Sequence, residues 1–345
     1  MSLRPSRMRL LHISDLHLGK KDRDEDILLQ LEKVVGVCLS EGVDILLITG
    51  DLFDVPSPPR ATKEAFLEVV EPLRQRGVAL VAICGNHDRG GLGGWDREGL
   101  LFFEEPEVLR FGELRLHLFP FHPHGSGKDL LKGGLRRASR YEVALCHASY
   151  VSNPAVLSQL GEDGLLYYPL TSTEVRNLPF DYLALGHYHN PVLWREGACR
   201  CGYPGTIEPL SFKEEGPRKA FLVLCEEELR VEEVDLGCRR AFRTVPWRLG
   251  VEVREEEVPL RLRELRGRKD FFKVILTGFV RDGALLRASL QGLPDNVKVD
   301  WRVIDLQRVE ADPLLKGFFE LVRERGEGDE RLLGRGLELL EGHVD

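Results

Sequence analysis

Over its first half the chain alternates short, uninterrupted apolar runs with longer amphipathic stretches, and each apolar run closes in a turn of polar residues. The runs Leu10-Leu11-His12-Ile13, Ile45–Thr49, Ala79–Cys84, Val143–Cys146 and Tyr182–Leu185 have the length of buried strands. Ile27 to Glu41 sets Ile27, Leu28, Leu31, Val34, Val35 and Cys38 at helical spacing, and Gly42 stops it. Ala61 to Arg76 repeats the pattern with Phe66, Val69, Val70 and Leu73 before Gly77. Strand and helix in alternation predict an α/β layered sheet. Such folds gather ligands outside the carboxyl ends of their strands.

Further on the pattern changes. Leu114–Phe119, Val192–Trp194, Arg218–Cys225 and Leu229–Leu236 read as strands, the last two as a hairpin turning at Glu226–Glu228, so this part of the sheet is expected to be more antiparallel. The character shifts near Gly237–Arg240, which sets the domain boundaries at 1–238 and 239–308. In the second segment Arg243–Leu249, Phe271–Val280 and Val297–Leu306 are strand candidates. They alternate with helix candidates Glu257–Arg266 and Gly283–Gln291, which predicts a small α+β unit. The basic face from Leu260 to Lys269 can touch phosphates, although a solvated charged face is the plainer reading. Residues 309–345 form a third region. Pro313 opens a helix with Leu314, Leu315, Phe318, Phe319 and Val322 on one side, and after Gly326-Glu327-Gly328 a second helix carries Leu332, Leu333, Leu337, Leu339 and Leu340. Two such helices pack back on the small unit or receive a partner.

The chemistry lies where the five apolar runs end. Asp15 and His17 follow the first, Asp51 and Asp54 the second, Asn86, His87 and Asp88 the third, His147 the fourth, and His187 and His189 the fifth. Carboxylate, imidazole and amide oxygen together suit divalent ions of the Mn, Fe or Zn kind. Residues two apart in an extended exit point the same way, so Asp15 with His17 and His187 with His189 are each expected to grip one cavity. The ligand count is Asp15, His17, Asp51, Asn86, His147, His187 and His189. That is enough for two ions sharing Asp51, an arrangement that clamps attacking and leaving oxygens in displacement at phosphorus. His87 is left over and suits protonation of the leaving oxygen, with Asp54 or its rival Asp88 accepting a bond from it. His12 points to the opposite strand face and reads as a satisfied core histidine. His122 and His124 lie in a loop that can rim the site, and His343 reads as solvated.

Composition narrows the field. At 345 residues, 43% hydrophobic and 30% charged, the sequence is that of an ordinary globular protein, and it has no apolar stretch long enough to span a membrane. The charged start lacks the core of a secretory signal. Seven cysteines, several inside apolar runs, point to a reduced, cytoplasmic setting. Cys199 and Cys201 read as structural thiols rather than a zinc knuckle. A net charge of −8 excludes bulk electrostatic coating of nucleic acid but not a local groove. Arg60, Arg89, Arg136, Arg137 and Lys213 are candidates for phosphate contact.

Together, His12-Ile13-Ser14-Asp15-Leu16-His17-Leu18-Gly19, Gly50-Asp51-Leu52-Phe53-Asp54, Gly85-Asn86-His87-Asp88, Gly186-His187-Tyr188-His189 and the stretch from Tyr203 to Phe212 resemble calcineurin-like metallophosphoesterases. Within that superfamily the chain is similar to the SbcD/Mre-eleven nucleases, bacterial SbcD above all. The resemblance implies a four-layer α/β/β/α sandwich, a smaller capping domain and a C-terminal helical pair. It implies one ion on Asp15, His17, Asp51 and His189, a second on Asp51, Asn86, His147 and His187, and His87 as catalytic histidine. Asp54 stands where archaeal relatives often carry histidine, and Ala148-Ser149 stand where relatives have Gln-Gly. Two Mn(II) ions, exonuclease and single-strand endonuclease activity on DNA, a homodimer and an SbcC-type coiled-coil ATPase partner are further implications. A phosphoesterase for small molecules or phosphoproteins is the alternative.

Overall fold

The computed structural model describes residues 7–92, 99–132, 135–152 and 168–324. The chain divides into two units, one of residues 1–210 with 216–239 and one of residues 211–215 with 240–345.

In the first unit β1 (Met8–Ile13), α1 (Asp24–Glu41), β2 (Ile45–Thr49), α2 (Arg60–Gln75) and β3 (Ala79–Ile83) follow one another, and the three strands lie side by side in one sheet, all parallel. Every residue of β2 is buried. A fully buried leucine or isoleucine contributes about 1.5–3 kcal/mol, so an unbroken apolar strand holds the sheet's centre firmly. Gly42 ends α1 in the left-handed region, with φ of 62°. β4 (Leu100–Phe103) extends this sheet at one edge.

The chain then builds a second sheet. Its elements are β5 (Glu107–Phe111), β6 (Leu114–Phe119), α3 (Gly127–Lys132), β7 (Tyr141–His147), the short parallel pair β8 (Ser149–Val151) and β9 (Pro169–Thr171), α4 (Ser172–Arg176), β10 (Tyr182–Gly186), β11 (Val192–Glu196) and β12 (Cys199–Tyr203). The order is β11-β12-β10-β7-β6-β5, parallel at its centre and antiparallel at both edges. Thr171 and Glu174 form a reciprocal capping box that starts α4. The hairpin β13 (Arg218–Cys225) and β14 (Leu229–Gly237) returns to the first sheet, with β13 antiparallel to β1.

Strand alternation makes this a sandwich. Leu10, Ile45, Leu47, Val81 and Ile83 pack between the sheets against Leu116, Leu118, Val143, Leu145 and Tyr182. The opposite face of the first sheet packs under α1 and α2 through Leu46, Ile48, Leu31 and Phe66. That of the second packs under α3 and α4 through Ala144, Leu183, Leu130 and Val175. Helix, sheet, sheet, helix follow in order.

In the second unit β15 (Phe242–Arg248), α5 (Val258–Glu264), β16 (Phe271–Val280), α6 (Gly283–Ser289) and β17 (Val297–Asp305) form a three-stranded sheet that is parallel throughout. This corrects the α+β expectation. Each strand-to-strand crossover carries a helix, so the unit is α/β. Alternating burial along β16 places Phe272, Val274 and Leu276 against Val258, Leu262 and Leu286. α7 (Leu306–Ala311) and α8 (Pro313–Glu324) follow, and Val309, Leu315 and Val322 pack with Ile304. The second C-terminal helix expected near Leu332–Leu340 lies outside the described residues. Among the described residues no helix is long and apolar enough to cross a membrane. All seven cysteines are free thiols, with the Cys199 and Cys201 sulfurs 4.0 Å apart and buried.

Candidate metal centre

The exits of β1, β2 and β3 in one sheet and of β7 and β10 in the other converge on a single spot. Asp15 N–H donates to the Gly50 carbonyl at 3.1 Å, His17 N–H to that of Asp51 at 2.9 Å, and Leu18 N–H to that of Leu52 at 3.0 Å. The first two exits are thereby laced together. His87 N–H donates to Asp51 Oδ1 at 2.9 Å, tying in the third. His187 N–H donates to Asp15 Oδ1 at 3.1 Å and so binds the second sheet to the first.

The exits are not extended. Asp15, His17, Asp51 and His187 have positive φ values of 53°, 51°, 48° and 109°. Asp15 and His17 still face one cavity, but through two left-handed turns rather than through strand alternation. Each such residue costs about 1–3 kcal/mol, and strain of this kind collects at functional sites. Two glycines make the approach possible. A β-carbon at Gly186 would lie 1.8 Å from the Thr49 carbonyl oxygen, and one at Gly85 would lie 2.1 Å from Asp51 Oδ1.

Six of the seven candidate ligands meet through side-chain atoms at close range. His17 Nε2 is 3.2 Å from His189 Nε2, and His147 Nε2 is 3.0 Å from Asn86 Oδ1. Asp51 Oδ2 lies 3.6 Å from His17 Nε2 and 3.6 Å from His147 Nε2, midway between the two pairs. Asp15, His17 and His189 form one cluster of converging donor atoms, and Asp15, Asp51 and His147 another. The His187 ring stands 5.4 Å from that of His147, centre to centre.

These separations fit divalent cations. Ligands about 2.1 Å from an ion sit roughly 3.0 Å apart in an octahedron and roughly 3.4 Å apart in a tetrahedron. Two imidazole nitrogens facing each other at 3.2 Å need a proton or a cation between them. Protonation patterns agree with a ligand set. Burial, reinforced by His147, lowers His187 to about 3, which leaves a neutral imidazole. Burial raises the Asp15 carboxyl, and Asp51 adds to the effect. Burial alone would lower His147, but the Asp51 and Asp15 carboxylates outweigh it and raise it. Two buried carboxylates side by side are relieved by positive charge.

Supporting contacts orient the candidate ligands. His147 Nδ1–H donates to the Thr49 carbonyl at 2.9 Å, which fixes the tautomer that turns Nε2 to the cavity. Ser14 Oγ donates to Asp15 Oδ2 at 2.5 Å. The His189 carbonyl accepts from Thr206 N–H at 3.2 Å and from Arg218 Nη1 at 3.0 Å. Neither Thr49 nor Arg218 was signalled by the sequence, since the first acts through its backbone and the second comes from a distant strand.

The two rivals for orienting His87 both do something else with their carboxylates. His87 Nδ1 is 3.0 Å from the backbone carbonyl of Asp54. The Asp54 carboxylate instead lies 3.2 Å from His17 Nδ1 and 3.1 Å from Lys20 Nζ, and the contacts with His17 and then Lys20 bring it down to about 2. Asp88 is buried and accepts from the backbone N–H groups of Leu52 at 2.6 Å, Phe53 at 3.3 Å and Gly85 at 2.7 Å. It staples the second exit to the third. The carboxylate-to-His87 bond expected of either residue is absent among the described contacts, because the left-handed turn at Asp51 swings Asp54 toward His17.

His12, His122 and His124 fall where the pattern put them, whereas His117, which the pattern did not single out, is buried with Nε2 2.7 Å from the Glu142 carboxylate. His12 is buried between the Tyr182 hydroxyl at 2.7 Å and Thr49 Oγ1 at 2.8 Å. His122 and His124 are exposed in a loop whose Phe121 packs edge-on against His147. Of the candidate phosphate contacts, Arg60 is paired with Glu64 and Arg137 with Asp181. His343 lies outside the described residues.

Residues 8–191 match the calcineurin-like phosphoesterase family. The chain is similar to the DNA double-strand break repair protein Mre11 of Thermoplasma acidophilum, 25% identical over 96% of this chain and 93% of that protein. It is likewise similar to the protein of that name from Sulfurisphaera tokodaii, 23% identical over 89% and 83%. The SbcD component of the SbcCD nuclease of Escherichia coli is 27% identical over 66% of this chain and 67% of its own.

Proposed function

The chain belongs to the calcineurin-like phosphoesterase family, and from that premise we propose that it is a DNA nuclease that hydrolyses phosphodiester bonds at a centre of two divalent ions. The ions are Mn(II) in this reading. One is held by Asp15, His17, Asp51 and His189 and the other by Asp51, Asn86, His147 and His187, a division that the two pairs of donor atoms on either side of Asp51 support. A bound cation pair lowers the pKa of water and neutralises charge on the phosphate.

The protein's own groups do the rest. Asp15 and Asp51, buried and anchored by backbone N–H groups, keep the ligand frame fixed. His87 has its Nδ1 proton committed to the Asp54 carbonyl, so Nε2 is the atom that carries a proton to the leaving oxygen. The Asp54 carboxylate, 3.2 Å from His17 Nδ1, sets a negative charge behind that imidazole.

One observation favours a nuclease over a phosphatase acting on small molecules or phosphoproteins. The similarity to the Thermoplasma protein runs over 96% of the chain and so takes in the second unit as well as the phosphoesterase domain. The test compares Mn(II)-dependent cleavage of a labelled single-stranded oligonucleotide with that of nitrophenyl phosphate monoester. A kcat/KM about tenfold or more higher on the oligonucleotide is expected, a gap of about 1.4 kcal/mol in transition-state binding. Preference for the monoester would overturn the assignment.

The reading extends to a capping domain over residues 239–308, a homodimer, a cytoplasmic setting and an SbcC-type coiled-coil ATPase docking on residues 309–345. The name of the Escherichia coli relative, one component of a larger nuclease, supports a partner. So does α8, which leaves Leu314 55% and Leu321 49% exposed. Deleting residues 313–345 is expected to leave metal stoichiometry unchanged and to abolish co-purification of such an ATPase. Loss of metal instead would make the segment part of the catalytic fold.

A further inference from the structure

Tyr188 sits between His187 and His189, yet its side chain is 43% exposed while its neighbours turn inward. The positive φ at His187 re-aims the chain at this point. The Tyr188 ring lies 5.4 Å from the His187 ring and 4.9 Å from that of Tyr203. Tyr203 stacks on Trp194 at 5.7 Å and 18°, and Trp194 packs on Tyr150 at 4.8 Å. Tyr203 and Tyr150 in this column are tied down by hydrogen bonds. The buried Tyr203 hydroxyl donates to the Ala148 carbonyl at 2.7 Å and accepts from Tyr150 N–H at 2.8 Å, and the Tyr150 hydroxyl donates to Glu196 at 2.5 Å.

Here a backed, rigid ring keeps an open surface within one nucleotide's reach of the candidate ligand His187. Nucleobases stack on such surfaces irrespective of identity, because every base has a π face. Resting on the nuclease reading above, we propose that Tyr188 is a stacking platform for the base of the nucleotide that flanks the cleaved phosphate. The site then takes unpaired bases without preference among them. A base locked within a duplex stack cannot reach the ring, so single strands and frayed ends are the favoured substrates.

The test uses the full chain with Mn(II) and single-stranded oligonucleotides, intact or carrying one abasic residue beside the cleavage position. For the intact strand, Tyr188→Ala should raise KM about 5- to 150-fold, the range of a lost base–aromatic stack. The abasic strand should show the same KM rise with the wild type and almost no further rise with Tyr188→Ala. Tyr188→Phe should recover most of the loss. A strand with 2-aminopurine at the flanking position, bound in Ca(II), should be quenched by the wild type and not by Tyr188→Ala. If the wild type cleaves intact and abasic strands with equal KM, or Tyr188→Ala quenches 2-aminopurine fully, the stacking assignment falls and the nuclease reading stands. If the wild type cleaves no oligonucleotide, both fall.

Discussion

Asp51→Ala is expected to strip both cations from the protein at once and to reduce cleavage by at least about 10⁴-fold. Its Oδ2 stands 3.6 Å from His17 Nε2 on one side and 3.6 Å from His147 Nε2 on the other, so it faces both halves. Asn86→Ala removes a donor from one half only and should leave one ion in place. Metal content by elemental analysis separates the two variants: none for the first and one equivalent for the second, against two for the wild type. Melting supplies an independent readout. Saturating Mn(II) should raise the wild-type Tm by about 5–10 °C, the gain from a ligand at a hundred times its Kd in a unit of this size, and should not move that of Asp51→Ala. Two equivalents retained by Asp51→Ala would rule out a shared carboxylate.

The second large effect belongs to His87. His87→Ala should keep both ions and lose about 10²- to 10⁴-fold in kcat on DNA, the usual contribution of a general acid. The loss should shrink on bis(4-nitrophenyl) phosphate, whose leaving group departs without a proton. Equal losses on the two substrates would give His87 a binding role instead. Asp54→Asn offers a sharper contrast. The bond that holds His87 comes from the Asp54 backbone, and the variant keeps it. What the variant loses is the carboxylate beside His17 and Lys20. Its defect should therefore appear as weaker metal binding, with a smaller fall in kcat than His87→Ala.

The gathering of the candidate residues at one spot was legible because each lies at or just past the end of a buried strand. Apolar run, glycine turn and polar side chain are local features, and a parallel sheet brings their ends together whatever the loops between them do. Residues whose place depends on a turn's conformation were not legible. The pattern predicts Asp15 and His17 on one side of an extended exit, and they share a cavity because both are left-handed. The same kind of turn at Asp51 sent Asp54 to His17 and left Asp88 free to clasp the backbone of Leu52, Phe53 and Gly85. β12 escaped notice because Cys199-Arg200-Cys201-Gly202-Tyr203 mixes a charge and a glycine into a strand whose odd positions are buried. β5, an edge strand, exposes much of its length, and its apolar Val108, Leu109 and Phe111 do not alternate. The direction of strands in the second unit is not written in a period of two, so its parallel order emerged only from the register of β15, β16 and β17.

Asp15, Asp51 and Asn86 leave from one sheet, while His147, His187 and His189 leave from the other. In the proposed centre, cations held among them would act as rivets through the seam of the sandwich. The catalytic centre and the mechanical join of the two halves are then one object. On that reading, a chelator that silences the enzyme is expected also to loosen the hinge line along which the two leaves would part.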